Sequence, residues 1–316
     1  MAKTKEISRR IKSVSSTKKI TKAMEMVAAA KMRRSVEAVL KTRTYANLSW
    51  ETVSHLADLA EKNEESRHPL LYPRAAVKRV AVVLITSNRG MCGGYNSAVI
   101  AKAEASVRKH AVPTDFIVVG RKGAAVAFHG YEVAAKFEKS DLLTDINEIS
   151  PLAKLIVDSY ESGQYDKVFV AYTDFISQAK QVPRVKQLLP IQVGQEEKYL
   201  GIIGEDSPAA VSQELISRKE KKHLGINGAI FEYKFEPDAR TVLDKMIPRL
   251  IKTQLFQAYL EASASEHSAR MTAMHQATSA AGDMVAEMTL FYNKARQAGI
   301  TAEIAEISAG ANALAD

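Results

Sequence analysis

The sequence predicts an α/β protein in which a long antiparallel two-helix coiled coil, built from the N- and C-terminal segments, carries an inserted α/β domain with a mostly parallel sheet. Three observations lead there. Residues 1–68 contain neither Gly nor Pro, residues 238–298 are interrupted only by Pro248 and Gly282, and between these stretches short apolar runs alternate with helical periodicity. The expected organisation is an N-terminal coiled-coil helix over 1–68, an α/β domain over 75–236, and a C-terminal coiled-coil helix over 237–316.

In the first segment Ile7, Ile11 and Val14, then Met24, Val27 and Lys31, recur at three- and four-residue steps within a background of Ala, Met, Lys, Glu and Arg. It is expected to break or fray before the turn signal between Asn63 and Pro73. The last segment shows Met246, Leu250, Phe256 and Leu260, and later Met284, Met288, Phe291 and Ala295, at the same spacing, with Asp238 as an N-cap and an extension past Gly299 toward Ala309. At 1.5 Å per residue each helix spans on the order of 90 to 100 Å, too long for burial in a globular core. A helix that long needs a second helix over its apolar stripe, and the other end of the same chain supplies one. Two separate helical domains are the alternative on length alone.

Between the helices, residues 77–86 read as a buried strand, followed by a glycine-rich turn containing Gly90, Gly93 and Gly94 and by a helix over 96–110. Strands are expected at 115–120, 131–137 and 167–172, a helix at 149–162, and edge strands at 185–189 and 230–235. Residues 195–227 mix Gly, Ser, Pro and charges and read as a surface connection.

Charge narrows the function. The formal net charge is +8, yet residues 1–50 hold thirteen Lys and Arg against three Glu, a net of +10, and the remainder sums to about −2. Residues 261–316 carry seven acids and three bases, which favours pairing the two ends. An acidic partner is expected for the basic zone of Lys18, Lys19, Lys22 and Lys31. Nucleic acid fits poorly, because residues 1–34 lack the aromatics that stack on bases. One Cys makes no internal disulfide, no apolar run is long enough to cross a bilayer, and residues 1–10 are too polar for a secretion signal.

Catalytic readings fail on spacing. The strand, glycine turn and helix at 80–110 have the outline of a phosphate-binding site, but no Lys-Ser or Lys-Thr follows the last glycine, and Gly90, Gly93 and Gly94 do not space as G-x-G-x-x-G. A nucleotide-binding α/β protein with a coiled-coil extension therefore stands as the alternative, and the turn reads as structural. The seven His show no metal-ligand spacing, and Cys92 has no adjacent base. No catalytic, cofactor-binding or metal-ligating residues are expected.

Three separated runs then carry a resemblance: IKSVSSTKKITKAMEMVAAAK over 11–31, TSNRGMCGGYN over 86–96, and YNKARQAGITAEIAEI over 292–307. Together, in this order, they closely resemble the γ-subunit family of F-type ATP synthases. Asn88 and Met91 depart from the more usual Asp and Leu. The resemblance implies a rotor: the two terminal helices form the shaft inside a hexamer of α and β subunits, and the α/β domain lies beside the ε subunit and the membrane ring of c subunits, with δ, a and b subunits in the same complex. It implies no active site and no membrane insertion of the chain's own. Ion flow would turn ring and shaft and drive the β sites through ATP synthesis. The resemblance further places Met24, Arg296 and Gln297 against β-subunit loops, and Thr301 and Glu303 at nearby coupling positions. The small side chains over 308–315 suit a tip turning in an apolar collar. A lone Cys92 argues against a thiol-switched chloroplast form and for the cytoplasmic face of a bacterial inner membrane.

Overall fold

The structure, a computed structural model, describes residues 2–61, 68–74, 76–110, 112–141, 145–191 and 239–313. It contains helix α1 (Ala2–Glu61), strand β1 (Val80–Ile85), helix α2 (Tyr95–His110), strands β2 (Thr114–Val119) and β3 (Glu132–Phe137), helix α3 (Ser150–Glu161), strands β4 (Lys167–Phe175) and β5 (Gln181–Leu189), and helix α4 (Ala239–Ala313). The chain divides into two compact units, Met1–Ala29 with Arg270–Asp316, and Ala30–Ala269.

The first unit is an antiparallel helix pair. Thr278 Oγ1 donates to Thr21 Oγ1 at 2.8 Å, and His275 Nδ1 meets Glu25 at 3.3 Å, so partner numbers on α4 rise as those on α1 fall. Thr4, Ile7, Ile11, Val14, Thr21, Glu25 and Ala28 are buried or half-buried on α1. Met271, Met274, Thr278, Ala281, Val285, Met288, Tyr292 and Ala295 answer them on α4. Both sets repeat every seven residues, the period that keeps two helices in register along a seam. The buried members are Ala28, Met274 and Ala281, and the two alanines permit close backbone approach. Lys18 falls on the same repeat and lies over Gly282, where an added Cβ would come within 3.0 Å of its Nζ.

The second unit is the α/β body. Its sheet has the order β3-β2-β1-β4-β5, with the first four strands parallel and β5 antiparallel at the edge. Alternate residues of β1 serve opposite faces: Val80, Val82 and Leu84 pack with Val99, Ile100 and Ala103 of α2, whereas Ala81, Val83 and Ile85 pack with Ile156 and Tyr160 of α3 and with Leu250, Ile251 and Leu255 of α4. Burial on both faces is why the strand reads as an unbroken apolar run. Each fully buried Val, Leu or Ile contributes about 1.5–3 kcal/mol.

The described part of α1 runs to Glu61, and residues 62–67 lie outside the described residues; His68 is buried. Some features within the described residues differ from expectation. Pro248 does not break α4, although an internal Pro removes a backbone donor and crowds the preceding turn at a cost of about 3 kcal/mol. The flanking Leu243, Ile247, Leu250 and Ile251 are fully buried and hold the helix through it. β4 and β5 are longer than the sequence suggested, and the 3₁₀ helix Arg121–His129 was not foreseen. The expected Asp238 cap, the 195–227 connection and the 230–235 strand lie outside the described residues.

His68 makes a titratable clamp. Its Nδ1 accepts from the Leu70 N–H at 3.2 Å and its Nε2 meets Asp244 at 3.0 Å, so the neutral ring is the one that fits. Burial pushes its pKa below the ordinary 6.5, against the pull of Asp244 and Glu161, while Arg240 adds to the lowering. The unfolded chain therefore takes up the proton first as pH falls through 6.5, and stability declines below that point. Thermal melting should show a lower midpoint at pH 5.5 than at pH 7.5, and His68→Asn should flatten that slope.

Candidate functional site

Two places concentrate the residues singled out by the sequence: the surface of the helix pair and the carboxyl edge of the sheet. On the helix pair, Met24 is half-buried at the seam and neighbours a polar cluster. Lys22 Nζ donates to Glu25 at 3.0 Å, and this bond holds the Glu25 carboxyl below its ordinary range, with His275 adding to the effect and burial opposing it. Lys18 and Lys19 are exposed and make no ion pair among the described residues. Beside them Ile20, Met26 and Val27 expose 58%, 59% and 56% of their surface, a fraction that leaves an apolar patch flanked by cations. Lys31 belongs to the other unit, where its Nζ donates to Asp141 at 2.8 Å and depresses that carboxyl.

From Arg296 to Ala309 every side chain is exposed. Arg296, Gln297, Thr301 and Glu303 all lie on this stretch, and Thr301 Oγ1 caps back onto the Gln297 carbonyl at 3.0 Å. Ile300, Ile304 and Ile307, four and three residues apart, share one face and are 45%, 62% and 72% exposed. Together they form an exposed apolar face on the last turns of α4. Met24 and the Arg296–Glu303 group are thus not brought together; they occupy different stretches of the helix pair.

At the carboxyl edge of the sheet, the glycine turn is closed by its own side chains. Ser87 N–H donates to Asn96 Oδ1 at 3.0 Å, and Ser87 Oγ donates to the Arg89 carbonyl at 2.7 Å. Asn88 accepts from the Arg121 N–H at 3.3 Å through Oδ1 while its amide donates to the Lys139 carbonyl. A carboxylate could accept there but not donate, which gives the departure to Asn88 a physical sense. Gly93 and Met91 take left-handed backbone, with φ of +56° and +60°, whereas Gly90 and Gly94 have no such requirement.

The space where α/β folds receive phosphates is taken by α4. Ligands of open parallel sheets sit beyond the strand carboxyl ends. Here Tyr95 OH donates to the Ala262 carbonyl at 3.0 Å, Ser265 Oγ donates to the Thr173 carbonyl at 3.0 Å, and Lys139 Nζ meets Glu266 at 2.7 Å. That contact disfavours the nucleotide-binding alternative. A groove between α1, α3 and α4, of about 1010 Å³, is lined by Tyr45, Lys154, Arg249, Lys252 and Phe256 among others, and assembles no nucleophile with an oriented base. Among the described residues no cluster of three His, Cys, Asp or Glu could hold a metal, and no helix is long and apolar enough to cross a membrane.

Sequence reasoning missed Asn88, Lys139 and Glu266 as members of this junction, and Gly120 and Gly123 as its tightest points. Gly120 stands at the end of a predicted parallel strand and Gly123 three residues on, in the 3₁₀ helix; the close approach of neighbouring strand ends was the available signal for the first.

A family model described as ATP synthase matches residues 3–314. The chain is 37% identical over 318 residues to the ATP synthase gamma chain of Legionella pneumophila (strain Paris), covering 99% of this chain and 100% of the relative. It is 36% identical over 319 residues to that of Coxiella burnetii (strain RSA 493 / Nine Mile phase I), with the same coverage. Among solved structures it is similar to a chain of the Euglena gracilis mitochondrial ATP synthase (OSCP/F1/c-ring, rotational state 3), with a TM-score of 0.62, 17% identity, and 99% and 95% of the two chains covered. A chain of the Tetrahymena thermophila mitochondrial ATP synthase central stalk and c-ring aligns with a TM-score of 0.58 at 22% identity, covering 82% of this chain and 99% of that one. At these identities the solved structures speak for the fold.

Proposed function

The chain belongs to the ATP synthase gamma-chain family, and from that membership we propose that it is the central-stalk rotor subunit, turning inside a hexamer of α and β subunits and coupling ion flow through the membrane ring to ATP synthesis or hydrolysis at the β sites. The observation that carries the mechanism is the antiparallel pairing of Thr21 with Thr278 and Glu25 with His275, which makes one lopsided rod from two chain ends. A shaft biases a catalytic subunit only through contacts that differ between that subunit's conformations. Cations at Lys18 and Lys19 beside exposed Ile20, Met26 and Val27 give one flank a chemistry the other lacks.

In this reading Met24 and the Arg296, Gln297, Thr301 and Glu303 stretch meet β-subunit loops, and the basic zone of Lys18, Lys19 and Lys22 faces acidic groups there, while Lys31 is held by Asp141. Gly90, Gly93 and Gly94 shape the turn and bind nothing, and the chain supplies no catalytic group. The α/β body meets the ε subunit and the c-ring, δ, a and b complete the complex, and the particle sits peripherally at the cytoplasmic face of a bacterial inner membrane. Co-expression with α and β subunits from a bacterial complex tests it: one particle containing all three chains, with ATPase activity, is expected on sizing. Separate elution of this chain would sink the reading.

A further inference from the structure

A rotor must carry load, and the Lys139–Glu266 junction has the chemistry of a part that resists slip. Residues 258–268 of α4 lie against the sheet edge with Ala258, Ala262, Ser263, Ala264, Ser265 and Ser268 all buried. Tyr259, Leu260, Glu261, Glu266 and His267 are buried among them, so small residues alternate with large ones along this stretch. Directional polar contacts add to the packing. Tyr95 OH grips the Ala262 carbonyl, Tyr259 OH grips the Ser140 carbonyl at 2.9 Å, and Ser268 Oγ grips the Gln178 carbonyl at 2.8 Å.

At the centre is an ion pair that stability alone does not explain. Lys139 Nζ and Glu266 Oε2 are 2.7 Å apart with side chains only 3% and 7% exposed. Lys139 also lies 5.9 Å and 5.6 Å from the ring centres of Tyr95 and Tyr259, so two aromatic faces and one carboxylate enclose the ammonium. Burying both charges costs several kcal/mol in desolvation, and well-packed apolar residues of similar volume are often as stable or more so. What an enclosed pair adds is a preferred orientation, because its attraction falls steeply once the helix rotates or shifts.

We infer, resting on the rotor reading above, that Lys139 and Glu266 are positioning residues that form a torsional lock, fixing the rotation of α4 against the carboxyl edge of the sheet so that torque passes between helix and body without slip. The lock acts under load. It does not touch nucleotide, and it leaves unloaded hydrolysis unchanged.

The test uses reconstituted ATP synthase in sealed vesicles, comparing wild type and the double variant Lys139→Met with Glu266→Met. ATP hydrolysis and ATP-driven ion uptake are measured together, with and without an opposing gradient. The double variant is expected to fold, assemble and hydrolyse ATP as wild type does, yet to move less than about half as many ions per ATP against the gradient. A double variant that couples as well as wild type under load overturns the inference. So does one whose isolated full chain fails to fold, since the pair would then be a folding requirement. If the wild-type chain itself does not enter the particle, the rotor reading falls and takes the lock with it.

Discussion

Gly120→Ala is expected to destabilise the α/β body by about 3–5 kcal/mol, enough to leave much of the chain unfolded at growth temperature. Two costs coincide at this position. The backbone has φ of +93°, outside the left-handed region that an L residue can visit cheaply, and a Cβ would stand 2.4 Å from the Thr86 carbonyl oxygen and 2.8 Å from its carbon. Neither atom can yield. The Thr86 N–H donates to the Val119 carbonyl at 2.8 Å, and its hydroxyl bonds to the Val119 and Gly120 carbonyls at 3.1 Å each.

A comparison separates the two costs. Gly130 also has positive φ, +86°, but no atom lies within 4 Å of where its Cβ would be. Gly130→Ala should therefore cost only the conformational part, about 1 kcal/mol. Chemical denaturation of the full-length variants, followed by circular dichroism, should give midpoints in the order wild type, Gly130→Ala, Gly120→Ala. Equal midpoints for the two variants would show that the Thr86 contact relaxes freely.

These glycines mark where sequence reasoning stopped. Helices and buried strands were legible because their periods are local: the steps of Ile7, Ile11 and Val14, and the unbroken run of β1, are each written in nearby residues. The register farther along was misread, since Val27, Met284 and Phe291 are exposed and the seam runs instead through Thr21, Glu25 and Ala28 and through Ala281, Val285 and Tyr292. The first glycine cluster was legible as a turn because it too is local. Gly120 was not, because its constraint comes from Thr86, thirty-four residues away, and arises only when β1 and β2 lie side by side. Lys139 and Glu266 are separated by 127 residues, and each alone reads as an ordinary surface charge. Pro248 shows the converse, a local signal overruled by the buried residues around it. The surface of the helix pair was partly legible, since the charge and the motif residues are written locally. The exposed face of Ile300, Ile304 and Ile307 was hidden by its likeness to the seam positions before Ala295.

That face carries the second large effect. Ile304→Asp is expected to leave the isolated chain within about 0.5 kcal/mol of wild type, because the side chain is 62% exposed and loses little burial. In the assembled particle the outcome should differ. If the apolar collar proposed for the tip encloses this face, each Ile gains about 1.5–3 kcal/mol on burial, and an unpaired carboxylate in its place costs more than the lost contact. The affinity of the chain for the hexamer should then fall at least about tenfold, with rotation-coupled ATP hydrolysis falling in step. Glu306 provides the matched control, since it is two residues away, also exposed, and already charged. Glu306→Ala should change binding far less, because removing a rim charge seldom costs as much as burying a new one. Should Ile304→Asp bind and turn over like wild type, the exposed isoleucines would belong to a free helix end, and the collar would lose its footing.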